Sequence, residues 1–169
     1  MVTFEEFART RLPSLLRVAK ALCVDRGTAE DVVQEVLLRA YERWDVIAVI
    51  DQPEAYVRRM IVNEYLSWRR KWARVSATAD LSDVEAVGDP AGTVADRLQL
   101  AGEIARLPAR QRAVIVLRYV AGLSDSEIAD ELGCGLGTVR SHASRALETM
   151  RVRIDRVDGR ESHDDRLAH

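Results

Sequence analysis

Apolar side chains recur along this chain at i, i+3, i+4 and i+7, and no segment alternates with period two for long enough to suggest a sheet. The pattern predicts helices almost throughout. Thr3 followed by Glu6 has the spacing of a capping box and opens a first helix, which Pro13 is expected to kink or divide. Gly27-Thr28 starts a second helix, with Glu30 and Asp31 in a first turn where the dipole favours acids. Val32, Val33, Val36, Leu37, Ala40 and Trp44 form its inward stripe. Pro53 suits the first turn of a third helix running to about Trp72. Further on, helices near 94–106 and 108–121 meet at Leu107-Pro108, and Gly122 ends the latter.

Between the two groups of helices lies ARVSATADLSDVEAVGDPAGTVAD, a small, polar, acidic stretch containing Gly88, Pro90 and Gly92, which reads as a linker. From Arg156 to His169 there is little to bury, and this reads as a frayed polar tail. The expected architecture is all-α: two small helical domains over 1–72 and 98–155, a flexible linker over 73–97 and a tail over 156–169.

The sharpest pattern is a helix-turn-helix near the end of the second domain. Ser124 with Glu127 is another capping box, Ile128, Ala129 and Leu132 give a short helix its apolar positions, and Gly133 stops it. A new helix begins near Leu136, with Val139, Ala143, Ala146, Leu147 and Met150 on one inward face. Thr138, Arg140, Ser141, His142, Ser144 and Arg145 lie in its N-terminal half, the part that enters the major groove in a helix-turn-helix. Arginine there can donate bidentately to guanine or grip phosphate, and serine can contact bases or backbone. The competing reading is an ordinary helical hairpin with solvated arginines.

The helix PEAYVRRMIVNEYLSWRRKW carries two kinds of surface. Val57, Ile61, Tyr65, Trp68 and Trp72 make an apolar stripe; Arg59, Asn63, Leu66 and Arg70 line up elsewhere, and Arg58 and Arg69 share a third side. Residues 55–72 hold 5 basic residues and 1 acidic one, so a positive strip sits inside a nearly neutral domain. Basic residues interleaved with aromatics can grip a phosphate backbone while bases stack, although a solvated amphipathic helix with core tryptophans fits the same pattern.

Composition narrows the class. The 169 residues include 25 Lys+Arg and 27 Asp+Glu, a net charge of -2, which at first opposes nucleic-acid binding. No run of about 18 apolar residues could span a membrane, and the N-terminus carries acids where a signal peptide would be basic. Cys23 and Cys134 make neither a disulfide framework nor a zinc pattern, so a cytoplasmic protein with reduced thiols and no membrane insertion is expected. No glycine-rich phosphate loop, activated nucleophile or paired catalytic carboxylates occur, and no enzyme, cofactor or metal is expected.

Taken together, AEDVVQEVLLRAYERWD, PEAYVRRMIVNEYLSWRRKW and LPARQRAVIVLRYVAGLSDSEIADELGCGLGTVRSHASRAL resemble regions 2.2, 2.3–2.4 and 4 of a bacterial RNA polymerase sigma factor of the extracytoplasmic-function (ECF) group, in that family's order. The opening FEEFARTRLPSLLRVAKAL, with the short linker, looks most like the SigE-type subset. The resemblance implies a protein that binds core RNA polymerase, directs it to −35/−10 promoters and promotes DNA opening. It puts Asp31, Gln34, Glu35 and Leu38 on the clamp helices of the β′ subunit, and makes DVIAVIDQ, after Trp44, a loop that captures a flipped −10 base. Arg58, Arg59, Asn63, Arg69 and Arg70 would lie along the −10 DNA, and Thr138, Arg140, Ser141, His142, Ser144 and Arg145 on the −35 element. The face near Arg110, Arg112 and Arg118 would lie toward upstream DNA or the β flap. An anti-sigma factor is a further partner implied. Three positions depart from the pattern: Glu64 is an acid after the Asn, Gly135 removes an N-cap, and His142 stands where Arg is frequent.

Two other readings stay open on sequence. LSDSEIADELGCGLGTVRSH would fit a LuxR-like regulator nearly as well, although the all-helical first half favours the sigma factor. A helical adaptor without DNA contact is opposed by the recognition-helix arginines.

Overall fold

A computed structural model of the chain describes residues 2–75 and 94–164. Among these, the regular elements are all helices: α1 (Phe4–Cys23), α2 (Arg26–Glu42), α3 (Trp44–Ile47), α4 (Pro53–Val75), α5 (Val94–Ala105), α6 (Ala109–Tyr119), α7 (Asp125–Leu132) and α8 (Leu136–Asp164). Most of the expected linker, 76–93, and the final residues 165–169 lie outside the described residues.

The capping box at the start of α1 is formed. The Glu6 N–H donates to the Thr3 hydroxyl at 3.3 Å and the Thr3 N–H to the Glu6 carboxylate at 3.1 Å. Pro13 does not divide α1, which runs unbroken through it. Pro13 stands on the exposed side, where water can take the carbonyl that its missing N–H leaves unpaired. The turn into α2 is tight. Asp25 donates its N–H to the Cys23 carbonyl at 2.8 Å, and Val24 between them has φ 68 and ψ -47. That is the strained form of the γ-turn, held here by a β-branched residue. Helix α2 then begins at Arg26, earlier than expected, because the Asp25 carboxylate caps it by accepting from Thr28 N at 2.7 Å.

Trp44 does not continue the stripe of α2. Helix α2 ends at Glu42, and Trp44 opens the one-turn α3, so part of the stretch expected as a loop is helical. The Trp44 indole N–H donates to the Val2 carbonyl at 3.0 Å, and its ring meets Phe4 and Phe7. Pro53 opens α4 as its spacing predicted.

In the second half, Gly122 adopts φ 72 beyond the end of α6 and lets Leu123 N donate back to the Leu117 carbonyl at 3.0 Å. Ser124 and Glu127 form their capping box, and Gly133, at φ 61, ends α7 in the left-handed conformation. Helix α8 does not stop near the expected domain end but continues to Asp164, so the first part of the expected tail is helical.

The two halves are not merely tethered. Helix α1 packs on α5 and α6, and α4 packs on α6 and α7. One hydrophobic cluster runs from Leu15, Leu22, Val36, Ile61 and Tyr65 into Val114, Leu117, Ile128 and Val139. A smaller one, Leu107, Ile115, Ala146 and Met150, closes α5, α6 and α8. The docking escaped the sequence because either half can be drawn as a complete amphipathic bundle.

Candidate nucleic-acid interface

Helix α8 is oriented by its apolar residues. Val139, Ala143, Ala146 and Met150 are buried, while Thr138, Arg140, Ser141, Ser144 and Arg145 are exposed on the other side. Leu147, expected inward, is 42% exposed and belongs to the solvent side. Gly135 supplies no side-chain cap, but its carbonyl accepts from Thr138 N at 3.0 Å and Val139 N at 3.1 Å, starting the helix. The Arg140 side chain is 72% exposed and lies 3.6 Å from the Asp125 carboxylate at the start of α7, which also pairs with Arg118. His142 is half-buried with no partner for Nδ1; burial first, then Arg110 and Arg145, push its pKa down and favour the neutral ring.

Helix α4 divides the five residues predicted for −10 DNA. Arg59, Asn63 and Arg70 are exposed. Leu66, expected beside them, is buried. Arg58 and Arg69 instead lie on the side toward the second half, and Arg58 donates through Nε (2.9 Å) and Nη2 to Oε1 of Glu131 in α7. Val57, Ile61 and Tyr65 of the apolar stripe are buried, whereas Trp68 and Trp72 are half-buried and pack on each other with centroids 6.1 Å apart. Glu64 is taken up by an ion pair, 2.6 Å from Arg39 of α2.

On α2, Asp31, Gln34, Glu35 and Leu38 stand at i, i+3, i+4 and i+7, and all four are exposed on one face. Leu38 is 56% exposed and Tyr41 continues the face, an apolar edge on an otherwise charged surface.

Arg112 is the clear correction. Expected at a DNA- or polymerase-facing surface, it is buried, and its guanidinium donates to the carbonyls of Leu22 (2.8 Å), Leu107 (3.4 Å) and Ala105. Its charge also stands 5.9 Å from the centroid of the Tyr65 ring. Arg110 is exposed and Arg118 half-exposed.

The chain matches two family descriptions, Sigma-70 region 2 over residues 7–75 and Sigma-70, region 4, over 97–150. It is 38% identical over 159 residues to the RNA polymerase sigma-E factor of Streptomyces avermitilis, covering 94% of this chain and 88% of that one. This chain is an ECF sigma factor of the sigma-70 family. It is also 34% identical to the ECF RNA polymerase sigma factor SigL of Mycobacterium tuberculosis, over 85% of this chain and 84% of that one. Among solved structures it resembles the sigma factor RpoE of Bartonella quintana, determined in complex with the anti-sigma factor NepR, with TM-score 0.76 and 27% identity over 90% and 96% of the two chains. The fold is also that of SigJ from M. tuberculosis, at TM-score 0.60 and 24% identity, over 87% of this chain and 52% of that one.

The sigma factor is thus a promoter-recognising partner of RNA polymerase, with sigma-70 regions 2 and 4 both present. No described helix is long and apolar enough to cross a membrane, and no group of metal-ligating side chains occurs among the described residues. Sequence reasoning missed Glu131, since an acid on a helix-turn-helix carries no signal of what it meets across a domain junction.

Proposed function

We propose that this sigma factor docks its α2 face on the β′ clamp helices, reads the −35 element with α8 and the −10 element with α4, and promotes DNA opening. The observation that carries this is the division of α8: four buried apolar residues fix its orientation, and Thr138, Arg140, Ser141, Ser144 and Arg145 are left exposed on its N-terminal half. His142 lies at the edge of that surface as a neutral ring and would contribute to base choice rather than to charge.

Asp31, Gln34, Glu35 and Leu38 would bind polymerase by rim charges around an apolar edge. Arg59, Asn63 and Arg70 would follow the −10 strand, joined by Arg58 and Arg69 when the second half moves away. Flipping a −10 base costs about a few kcal/mol, and the segment around α3 would supply the pocket. An anti-sigma factor would compete for these surfaces.

The test adds the purified chain to core polymerase on a −35/−10 template and measures promoter-specific transcription. Initiation from that promoter is expected, and Arg140→Ala should reduce it. Failure to bind core polymerase would sink the assignment. Sequence-specific DNA binding without polymerase would support an independent regulator instead.

A further inference from the structure

Helix α8 opens on a leucine that the core does not take up. Leu136, its first residue, is 44% exposed, although Val139 and Ala143 in the next turns are buried. Leu147 is exposed as well, but it lies eleven residues on, about 16 Å along the axis and outside the N-terminal half that a major groove receives. Leu136 stands one turn before Arg140, at i and i+4, on the edge of the exposed sector that carries Ser141 and Ser144. A single exposed leucine needs no explanation. Its two neighbours give this one a meaning.

Gly135 and Gly137 flank Leu136. Unlike Gly122 and Gly133, neither has a positive φ, and a Cβ placed on either would meet nothing within 4 Å. Neither the backbone conformation nor packing within the chain therefore calls for glycine at these positions. Inside a helix glycine is the least favoured residue after proline, so Gly137 lowers stability with nothing in the fold to offset it. The two glycines leave Leu136 as the one side chain between them and clear the space on both sides of it. Glycine is also the residue that lets a ligand approach the backbone closely. Gly137 stands one turn before Ser141, on the face that is exposed.

We propose that Leu136 is a base reader: its side chain packs on the C5-methyl group of a thymine in the −35 element, with Gly135 and Gly137 letting the leading end of α8 sit deep in the major groove. This rests on the assignment of α8 to −35 DNA. Thymine alone among the four bases presents a methyl group in the major groove, and an apolar side chain recognises it by contact. The same contact takes the exposed part of Leu136 out of water. It carries no charge, so it selects a base without adding to the salt dependence that phosphate contacts create. Arg140, one turn on, can grip guanine or phosphate beside it.

The test uses holoenzyme assembled from core polymerase and the full-length chain, on a promoter from which it initiates. Each thymine of the −35 element is replaced in turn by deoxyuridine, which lacks only the C5-methyl group. One replacement is expected to lower initiation about 4-fold, the factor that burying one methyl-sized group is worth. Leu136→Ala, checked for native circular dichroism, should initiate equally from thymine and deoxyuridine at that position, whereas Leu147→Ala should keep the difference. Gly137→Ala should leave the urea midpoint unchanged or raised and still lower initiation about 5-fold or more, because its Cβ meets DNA and not protein. No response to any deoxyuridine, or a response that survives Leu136→Ala, would overturn the proposal. So would a lowered midpoint or undiminished initiation in Gly137→Ala, since the contact depends on the close approach. If base-pair changes throughout the −35 element leave initiation unaffected, the assignment of α8 to −35 DNA fails instead. If they matter while thymine and deoxyuridine behave alike, only the role of Leu136 is refuted.

Discussion

Replacing Arg112 by Met distinguishes a structural arginine from a DNA-binding one. The unbranched side chain of Met fills most of the space of the arginine stem, so the cavity term is small. Lost are charge-assisted hydrogen bonds to the carbonyls of Leu22, at 2.8 Å, and Ala105, with a longer one to Leu107 at 3.4 Å. Two good bonds of this kind contribute about 1.5–3 kcal/mol each, and the carbonyls left buried cannot all recover water. Against this stands relief from holding a guanidinium in a dry site: burial pulls the Arg112 pKa down, as does Arg69, while Tyr65 opposes them. The net expectation is a loss of about 2–4 kcal/mol, read by urea unfolding of the full chain with circular dichroism. Arg112→Lys should recover less than half, since a point charge cannot fork between carbonyls from α1 and from the α5–α6 corner. A loss below about 1 kcal/mol with normal folding, accompanied by weaker promoter binding, would return Arg112 to the surface role that the family resemblance implied.

Val24→Gly should raise stability by about 1 kcal/mol, because relief of the left-handed β-branched residue exceeds the added unfolded-state entropy; a lower urea midpoint would show that the turn is unstrained. Asp25 has its pKa lowered by hydrogen bonds from the Thr28 backbone and hydroxyl, so its contribution is present above the ordinary value of 3.8 and lost as pH falls through the lowered folded value. Asp25→Asn should therefore be less stable than wild type at neutral pH and converge with it in acid; a gap independent of pH would refute the assignment. Arg59→Ala with Arg70→Ala should impair promoter opening, measured by permanganate reactivity of unpaired thymines, more than polymerase binding. Equal loss in both would place these residues elsewhere. Leu38→Asp should weaken core-polymerase binding without changing the melting temperature, since the side chain is 56% exposed; unchanged binding would move the docking face.

What was legible in the sequence was local. Both capping boxes, Thr3–Glu6 and Ser124–Glu127, depend on residues three apart and are found as written. The exposed row of Asp31, Gln34 and Glu35 and the buried row of Val139, Ala143, Ala146 and Met150 follow from helical periodicity, whereas Leu38 joined the exposed row only through the family resemblance. The Asp25 cap was equally local, but the glycine that follows it drew the helix start too late. Leu66 and Leu147 were put on the wrong sides because periodicity orders residues around a helix without saying where its neighbours stand. Arg58, Arg112 and Glu131 were illegible for a stronger reason. Their partners lie 73 residues away for Arg58 and Glu131, and 90 for Arg112 and the Leu22 carbonyl, across a junction that no composition or spacing announces.

The ion pairs bear on the near-neutral charge as well. An overall charge of -2 need not oppose DNA binding if acids are held against the arginines that DNA would use. Arg58 is held by Glu131, Arg140 stands near Asp125, and Arg39 holds Glu64 away from the exposed row of Arg59, Asn63 and Arg70. Of these, the Arg140 contact is exposed and long and would yield readily to phosphate. The Arg58 contact is buried, with both side chains shielded from solvent anions. Where the charges stand, and not their sum, then decides what the exposed row of Arg59, Asn63 and Arg70 can offer to phosphate.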